Sequence, residues 1–418
     1  MHLLILEYVT AGGLGPAAEQ PLCAEADAMA LALARDFGGL QGVTVALPRC
    51  PTLPWPGTLP ASVQRLPGLA QEAFVDLVAR HDAVLLVAPE TAHILHALAL
   101  QVESLGRPLL GPSAAAIACA GDKWRCFLAL DAAGVPQLPT FPAASDWPDL
   151  AGPWVLKPAD GCGCEGVRRF PDRATARAAA GRLTAAAGSD GSGGIEGSDD
   201  AATPAWLAQP WQAGVAASLT LLSGPSTVEL LAVNRQRIQV DELGQVSLAE
   251  VETGTLTDSD GRLAALARRV HAAIPGLHGI WGIDVLLQAD RDCVVEVNPR
   301  ITSAYPGLAA VLQDNPARRW LAAAEHLPAA MRDPAAAIGM RTGAAALSPR
   351  PAGSPAPAAV LGWDIGGAHL KVAALDRHGR LIDVVQLPCA LWQGLDRLEP
   401  LLAELCGRWG APQRHALT

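Results

Sequence analysis

Residues 281–300 read WGIDVLLQADRDCVVEVNPR, and this stretch decides the architecture: two apolar runs flank a polar turn, and two carboxylates, an amide and a guanidinium gather around it. In VVEVNP successive side chains alternate faces, so Val295 and Val297 are expected on a core while Glu296 and Asn298 share the opposite face. Asp284, in the preceding GIDVLL run, joins that face under only one register. An odd-numbered loop tipped at Ala289 to Arg291 sets it across from Glu296, whereas a two-residue loop turns it away. Three oxygen ligands on one wall suit Mg²⁺, which takes one or two carboxylates and completes its shell with water and phosphates. Arg300, just past Pro299, would then face the phosphates. The same residues also describe an ordinary half-exposed hairpin with its polar side chains outward, so other parts of the chain must decide.

With 418 residues, half of them hydrophobic, the chain has ample material for two or three domains. A net charge of −10 without a basic stripe argues against a nucleic-acid partner. Nine scattered cysteines, odd in number and without zinc-type spacing, read as reduced thiols, and Cys162 and Cys164 as small loop residues. The opening MHLLILEYV lacks a basic flank and is interrupted by Glu7, so it is expected to be a first strand and not a signal peptide. No run reaches the ~18 uncharged apolar residues of a membrane span. These features together point to the cytoplasm. Of 31 basic residues only Lys123, Lys157 and Lys371 are lysine. Where arginine is the default cation, a lysine marks either a place that needs a compact ammonium, such as a phosphate site, or a mere leftover.

The first hundred residues alternate strand and helix: LLILEY, AEADAMALALARDF, VTVAL, AVLLVA and a helix TAHILHALALQVESL. That alternation predicts an α/β layer with a mostly parallel sheet. Gly12, Gly13 and Gly15 follow the first strand, but GG-x-G is not the dinucleotide fingerprint, and a turn close to a small ligand fits it better. Ser113 to Ala133 is expected to be one helix, stopped by Gly134-Val135-Pro136. The strand PWVLKP then enters ADGCGCEGV, while Gly188 to Thr203 reads as a flexible insertion. WLAQPW, SLTLL, VELLAVN and the opening hairpin form a second, antiparallel sheet, followed by a helix ARRWLAAAEHL.

Lys157 ends a strand immediately before Gly161, Gly163 and Gly166, a loop whose backbone N–H groups can fold over phosphates while the ammonium contacts their oxygens. Lys123 in GDKWRCFLAL, Lys157 in VLKPADGCGCEGV and the wall GIDV…VVEVNPR stand in an order that resembles the ATP-grasp ligases. The resemblance covers residues 1–330 and implies an ATP-grasp fold, α/β and α+β in class. It would comprise a pre-ATP-grasp domain over 1–112, a first lobe over 113–212 with the insertion 188–203, and a second lobe over 213–330. By that resemblance Lys123, Lys157 and the loop glycines bind ATP phosphates. Asp284, Glu296 and Asn298 hold Mg²⁺ or Mn²⁺, and Arg300 stabilises the transferring phosphoryl group. Gln209, Pro210 and Trp211 in LAQPWQAG would offer backbone groups to adenine, although proline lacks the N–H.

Within the superfamily, LEYVTAGGLG, VAPETAHIL, AVNRQRI and EVNPRITSAYPGL resemble the tyramine–L-glutamate ligase group of methanofuran biosynthesis. The implied reaction joins L-glutamate, activated as its γ-acyl phosphate, to tyramine or a related arylamine. A ligase for other carboxylate and amine pairs, such as a dipeptide or polyglutamate former, fits the same phosphoryl site. So does a non-catalytic ATP-binding scaffold that docks C1-pathway enzymes, and homodimerisation is left open. After an Ala/Pro linker at 331–359, GWDIGGAHLKVAALD resembles the phosphate hairpin of the actin-like ATPase superfold, in the version of a tetrahydromethanopterin-linked C1-transfer protein. Asp364, Gly366, Gly367 and Lys371 would belong to that loop. Residues 360–418 are too few for two lobes, so this unit is expected to be a truncated fragment and Lys371 a solvated strand residue.

Glu7, Gly12 and Gly13 are expected to shape the substrate pocket and Arg235 to meet substrate, with a surface role as the alternative for each. Glu90 reads as an exposed turn residue, His93 and His96 as solvated helix positions with a metal pair as the alternative, and the Trp206 and Trp211 side chains as core with stacking near adenine as the alternative.

Overall fold

A computed structural model describes residues 1–15, 22–189 and 205–324, together with the backbone of four strands between 360 and 417. The chain divides into two compact units, Met1–Gly343 and Ala344–Thr418.

The first unit opens with β1 (His2–Glu7), α1 (Cys23–Gly38), β2 (Thr44–Arg49), β3 (Val63–Pro67), α2 (Phe74–Ala79), β4 (Ala83–Val87) and α3 (Ile94–Ser104). The four strands are parallel in the order β3-β2-β1-β4. Alternation along β1 assigns its two faces. Leu3 and Ile5 pack with Leu33 and Phe37 of α1, while Leu4 and Leu6 pack with Leu77, Leu95 and Val102 of the opposite helices. Both faces are covered, which is why the strand reads as a continuous apolar run. β3 and α2 carried no sequence signal. The helix expected from Thr91 starts at Ile94 instead, because Ala92 and His93 turn left-handed at φ 53° and 57°.

The single helix expected over 113–133 is two helices, α4 (Ala114–Ala120) and α5 (Lys123–Ala132). Asp122 breaks it by accepting the backbone N–H groups of Trp124 and Arg125 at 2.9 Å each, an N-cap that sets Lys123 in the first turn of α5. A small lobe follows, with β5 (Phe141–Pro142), β6 (Trp154–Pro158), β7 (Arg168–Phe170), α6 (Arg173–Ser189) and β8 (Trp206–Pro210). Its strands run antiparallel in the order β5-β8-β6-β7, so WLAQPW belongs here and not to the second sheet. Stacked Trp147 and Trp154, 5.1 Å apart, fill its core, with Trp206 packed against it. α6 takes in the first two residues of the expected insertion; 190–203 lie outside the described residues.

The large lobe is β9 (Val215–Ser223), β10 (Val228–Val240), β11 (Val246–Leu256), α7 (Arg262–Ala273), β12 (Gly279–Leu287), β13 (Cys293–Asn298), α8 (Tyr305–Leu312) and α9 (Pro316–Ala323). Its antiparallel sheet has the order β11-β10-β9-β12-β13. The α7 stripe Leu263, Leu266, Ala267 and Val270 covers one face against Trp281, Ile283, Val285 and Val297. At one end of the other face Leu222, Ala232 and Ile280 pack with Leu308, Trp320 and Leu321 of α8 and α9, and the rest is left for the site.

The long β10–β11 hairpin straps itself to the small lobe: Arg169 N donates to Gly244 O at 2.8 Å and Val246 N to Val167 O at 3.0 Å. Gly244 is required there, with φ +80° and a Cβ position 2.3 Å from Arg169 O. Gly244→Ala is expected to lower stability by about 1–3 kcal/mol and to open the strap. Thermal unfolding and limited proteolysis would read both, and an unchanged melting profile would remove the strap from the fold's support.

In the second unit β14 (Val360–Ile365), β15 (His369–Leu375) and β16 (Leu381–Pro388) form an antiparallel meander, and β17 (Arg414–Leu417) runs parallel to β14. Asp364 pairs in register with Lys371. The loop glycines Gly366 and Gly367 and the linker 331–359 lie outside the described residues. Among the described residues no helix is long and apolar enough to cross a membrane.

Candidate active site

The two lobes enclose a cleft of roughly 750 Å³ whose walls include Lys123, Lys157, the glycine loop, Gln209 to Trp211, Asp284, Glu296, Asn298 and Arg300. Asp284 stands directly across from Glu296, as expected, but by a different route. Val285 and Leu286 pair with Val294 and Cys293, enclosing the even-numbered loop 287–292, and that turn alone would set Asp284 against Val295. A β-bulge supplies the missing step: Val295 is an extra residue on β13, after which Glu296, Val297 and Asn298 pair with Asp284, Ile283 and Gly282. Val294 and Val297 therefore enter the core, and Val295, expected there, lines the cleft.

Asp284 accepts from Gln236 Nε2 at 3.0 Å and from Asn298 Nδ2 at 3.4 Å. Burial, with Glu296 opposite, pushes its carboxyl up to about 7. Burial opposes the charge of Glu296 too, but Lys123, Lys157 and Arg300 outweigh it and hold that carboxyl below its ordinary range. Two desolvated carboxylates facing each other beside an amide oxygen form a hard-donor set that fits a divalent cation, whose charge would relieve their repulsion.

Lys123 Nζ donates to Gly161 O at 2.6 Å and lies 3.8 Å from Glu296 Oε2, which ties the glycine loop to the carboxylate wall. Lys157 is 4% exposed; its closest acceptor is Val295 O at 3.5 Å, and burial lowers its pKa to about 8. Gly161 adopts φ +109°, open only to glycine, while Cys164 adopts φ +62°, a left-handed conformation that costs a non-glycine residue energy. Burial raises both loop thiols, Cys164 to about 11, so they stay protonated. Among the described residues no group of three or more His, Cys, Asp or Glu gathers, the His93 and His96 pair included.

At the hinge, Gln209 turns its side chain away, Nε2 donating to Thr140 Oγ1 at 2.7 Å. Pro210 has no N–H, and that of Trp211 is spent on Pro153 O at 2.8 Å. Pro210 and Trp211 thus offer a base carbonyl oxygens and no donors, a narrower role than expected.

Arg300 lines the cleft but does not stand free. Its Nε lies 3.0 Å from Glu90 Oε1, and its Nη2 donates to Glu90 Oε2 at 3.0 Å. Burial disfavours the guanidinium charge, and Glu90 more than restores it. Glu90, read as exposed, is 7% exposed, and no local pattern could have shown its partner 210 residues away. Arg235 does line the cleft, with Glu252 at 4.0 Å.

Glu7, Gly12 and Gly13 correct the sequence reading, because none of them lines the cleft. The Glu7 carboxylate is buried in its own turn, accepting Val9 N at 3.2 Å and Thr10 N at 2.6 Å, and burial raises its pKa. Gly13 packs against the Tyr8 ring, where a Cβ would come within 2.3 Å.

Residues 120–304 match the family model of the ATP-grasp domain, and residues 43–117 match the pre ATP-grasp 3 domain. The chain is 29% identical over 228 residues to the tyramine–L-glutamate ligase of Methanocaldococcus jannaschii and 28% identical over 228 residues to that of Methanocaldococcus fervens. The matched stretch is 54% of this chain and spans 58% and 61% of the two relatives. An ATP-grasp superfamily protein from Archaeoglobus fulgidus superposes with a TM-score of 0.57 at 22% identity, covering 78% of this chain and 89% of that one. The N5-carboxyaminoimidazole ribonucleotide synthetase of Thermus thermophilus gives a TM-score of 0.50 at 17% identity, over 97% and 98% of the two chains. These two solved structures share the fold. Lobes, glycine loop and domain models agree: the chain carries a pre-ATP-grasp domain followed by an ATP-grasp domain.

Proposed function

We propose that the chain is an ATP-dependent carboxylate–amine ligase that joins the γ-carboxylate of L-glutamate to tyramine or a related arylamine, in methanofuran-type C1 cofactor biosynthesis in the cytoplasm. The observation that carries the reading is the paired Asp284 and Glu296 wall, facing two lysines and an arginine across one cleft. The named relatives support the choice of substrates.

In the first step a carboxylate oxygen attacks the γ-phosphorus of ATP and ADP leaves. In the second the amine nitrogen attacks the acyl carbon, and phosphate departs with the amine proton. Lys157 and Lys123 place ammonium charges against the phosphate oxygens, and Arg300 meets the charge spread over the transferring group. Asp284, Glu296 and Asn298 would hold a divalent ion, Mg²⁺ or Mn²⁺, which would supply positive charge against the phosphate oxygens. The glycine loop, tied down through Lys123 and Gly161, keeps water from the acyl phosphate while the amine is held near it.

ADP release in the presence of ATP, Mg²⁺, L-glutamate and a panel of amines tests the proposal. Tyramine-dependent turnover is expected. Turnover with other amino acids alone would move the assignment to a dipeptide former, and no amine-dependent turnover would remove the ligase activity.

A further inference from the structure

Three successive residues after β4, Glu90, Thr91 and Ala92, reach both sides of the phosphoryl site. Glu90 holds Arg300 through two contacts of 3.0 Å, with the two side chains 6% and 12% exposed. Ala92 N donates to Asp160 Oδ2 at 3.0 Å, where the glycine loop begins. Thr91 touches the loop as well: its Oγ1 lies 3.7 Å from the Cβ position of Gly161, and its hydroxyl contacts the Cys162 thiol. The turn making these contacts is strained, because Ala92 and His93 are consecutive non-glycine residues at φ 53° and 57°. Such conformations persist where surrounding structure enforces them, and they cluster at functional sites.

A purely structural ion pair would be sealed in the core. This one opens on the cleft, two residues beyond Asn298, with Nη1 of the same guanidinium directed to Ile301 O at 3.1 Å. Arginine has a planar fork, so the Nη2 bond to Glu90 and the Nη1 bond to Ile301 O fix its plane and leave one proton on each Nη unspent. We propose that Glu90 is a positioning residue for phosphoryl transfer: from a strained turn that also anchors the glycine loop, it aims the Arg300 guanidinium at the transferring group. The inference rests on the phosphoryl-transfer reading but not on the identity of the acid or the amine.

The test therefore uses a phosphoryl mimic that needs neither substrate. Binding of ADP–Mg²⁺, with and without fluoroaluminate, is measured by calorimetry for wild type, Glu90→Ala, Glu90→Gln, Arg300→Ala and the Glu90→Ala/Arg300→Ala double variant. All are first compared by circular dichroism. Arg300→Ala is expected to weaken the fluoroaluminate complex by about 100-fold, the scale of losing one transition-state donor. Glu90→Ala is expected to weaken it by roughly 10-fold, and the isosteric Glu90→Gln by less. ADP–Mg²⁺ affinity alone should stay within about twofold throughout. The double variant should be no worse than Arg300→Ala, as expected when one residue acts through the other. Wild-type fluoroaluminate affinity in Glu90→Ala, a fully additive double variant, or a parallel loss of ADP–Mg²⁺ affinity would each overturn the proposal. A wild-type protein that does not bind ADP–Mg²⁺ would overturn the nucleotide reading itself and this inference with it.

Discussion

Glu296→Gln is expected to lower ADP release by at least about 10³-fold while leaving the fold intact. Glutamine is nearly isosteric and keeps its place on β13, so packing is undisturbed. What disappears is one unit of negative charge facing Asp284 and lying 3.8 Å from Lys123 Nζ. Both consequences act on the site. The oxygen wall loses half of its charge toward a dication, and Lys123 loses its counter-charge beside the glycine loop. Asp284, relieved of its like-charged neighbour, should also titrate lower than it does beside Glu296. Steady-state ADP release with a coupled assay, alongside thermal unfolding, separates the effects. Retained activity would take Glu296 out of the metal wall.

Lys157→Met should cost activity and raise stability. The Lys157 ammonium is 4% exposed, its closest acceptor is a carbonyl at 3.5 Å, and burial brings its pKa from 10.5 down to about 8. Glu296 offsets only part of the burial cost, so this charge burdens the fold until phosphates arrive. Because the folded-state pKa lies below the unfolded one, unfolding takes up a proton in the window between them. Wild-type stability therefore rises with pH from about 8 to about 10.5, relative to a variant without the group. At pH 7 the methionine variant should be more stable by up to about 3 kcal/mol, an advantage that shrinks through that window. Activity should fall by about 10²–10³-fold, because the charge meant for the phosphate oxygens is gone. Melting curves at pH 7, 8.5 and 10 carry the test. A constant gap between variant and wild type would mean that Lys157 is not titrating as its burial implies.

The parts of this site legible in the sequence were those that local pattern controls. Alternation in residues 293–298 put Glu296 and Asn298 on one face, and the rarity of lysine drew attention to Lys123 and Lys157, both of which reach the cleft. The bulge at Val295 was not legible, because alternation assumes an unbroken pleat. The sequence reading reached the right pairing of Asp284 with Glu296 from a loop length the chain does not have. Gln236 gave no signal and Glu90 read as an exposed turn residue for another reason: their roles depend on partners 48 and 210 residues away. Glu7 misled in the opposite direction, since a carboxylate at the end of a strand can be absorbed by the backbone N–H groups of the turn that follows. In the fold, the alternating strands and helices of the first hundred residues were readable. Two breaks were not: the left-handed residues at 92 and 93, and the Asp122 cap that splits one expected helix into two.

Ligation through an acyl phosphate is tested most directly by following oxygen. L-glutamate carrying ¹⁸O in its γ-carboxylate is incubated with the protein, ATP, Mg²⁺ and tyramine, and the released phosphate is examined by mass spectrometry. One ¹⁸O per phosphate, formed in step with ADP and γ-glutamyltyramine, is the expected result. Unlabelled phosphate, or AMP in place of ADP, would contradict it.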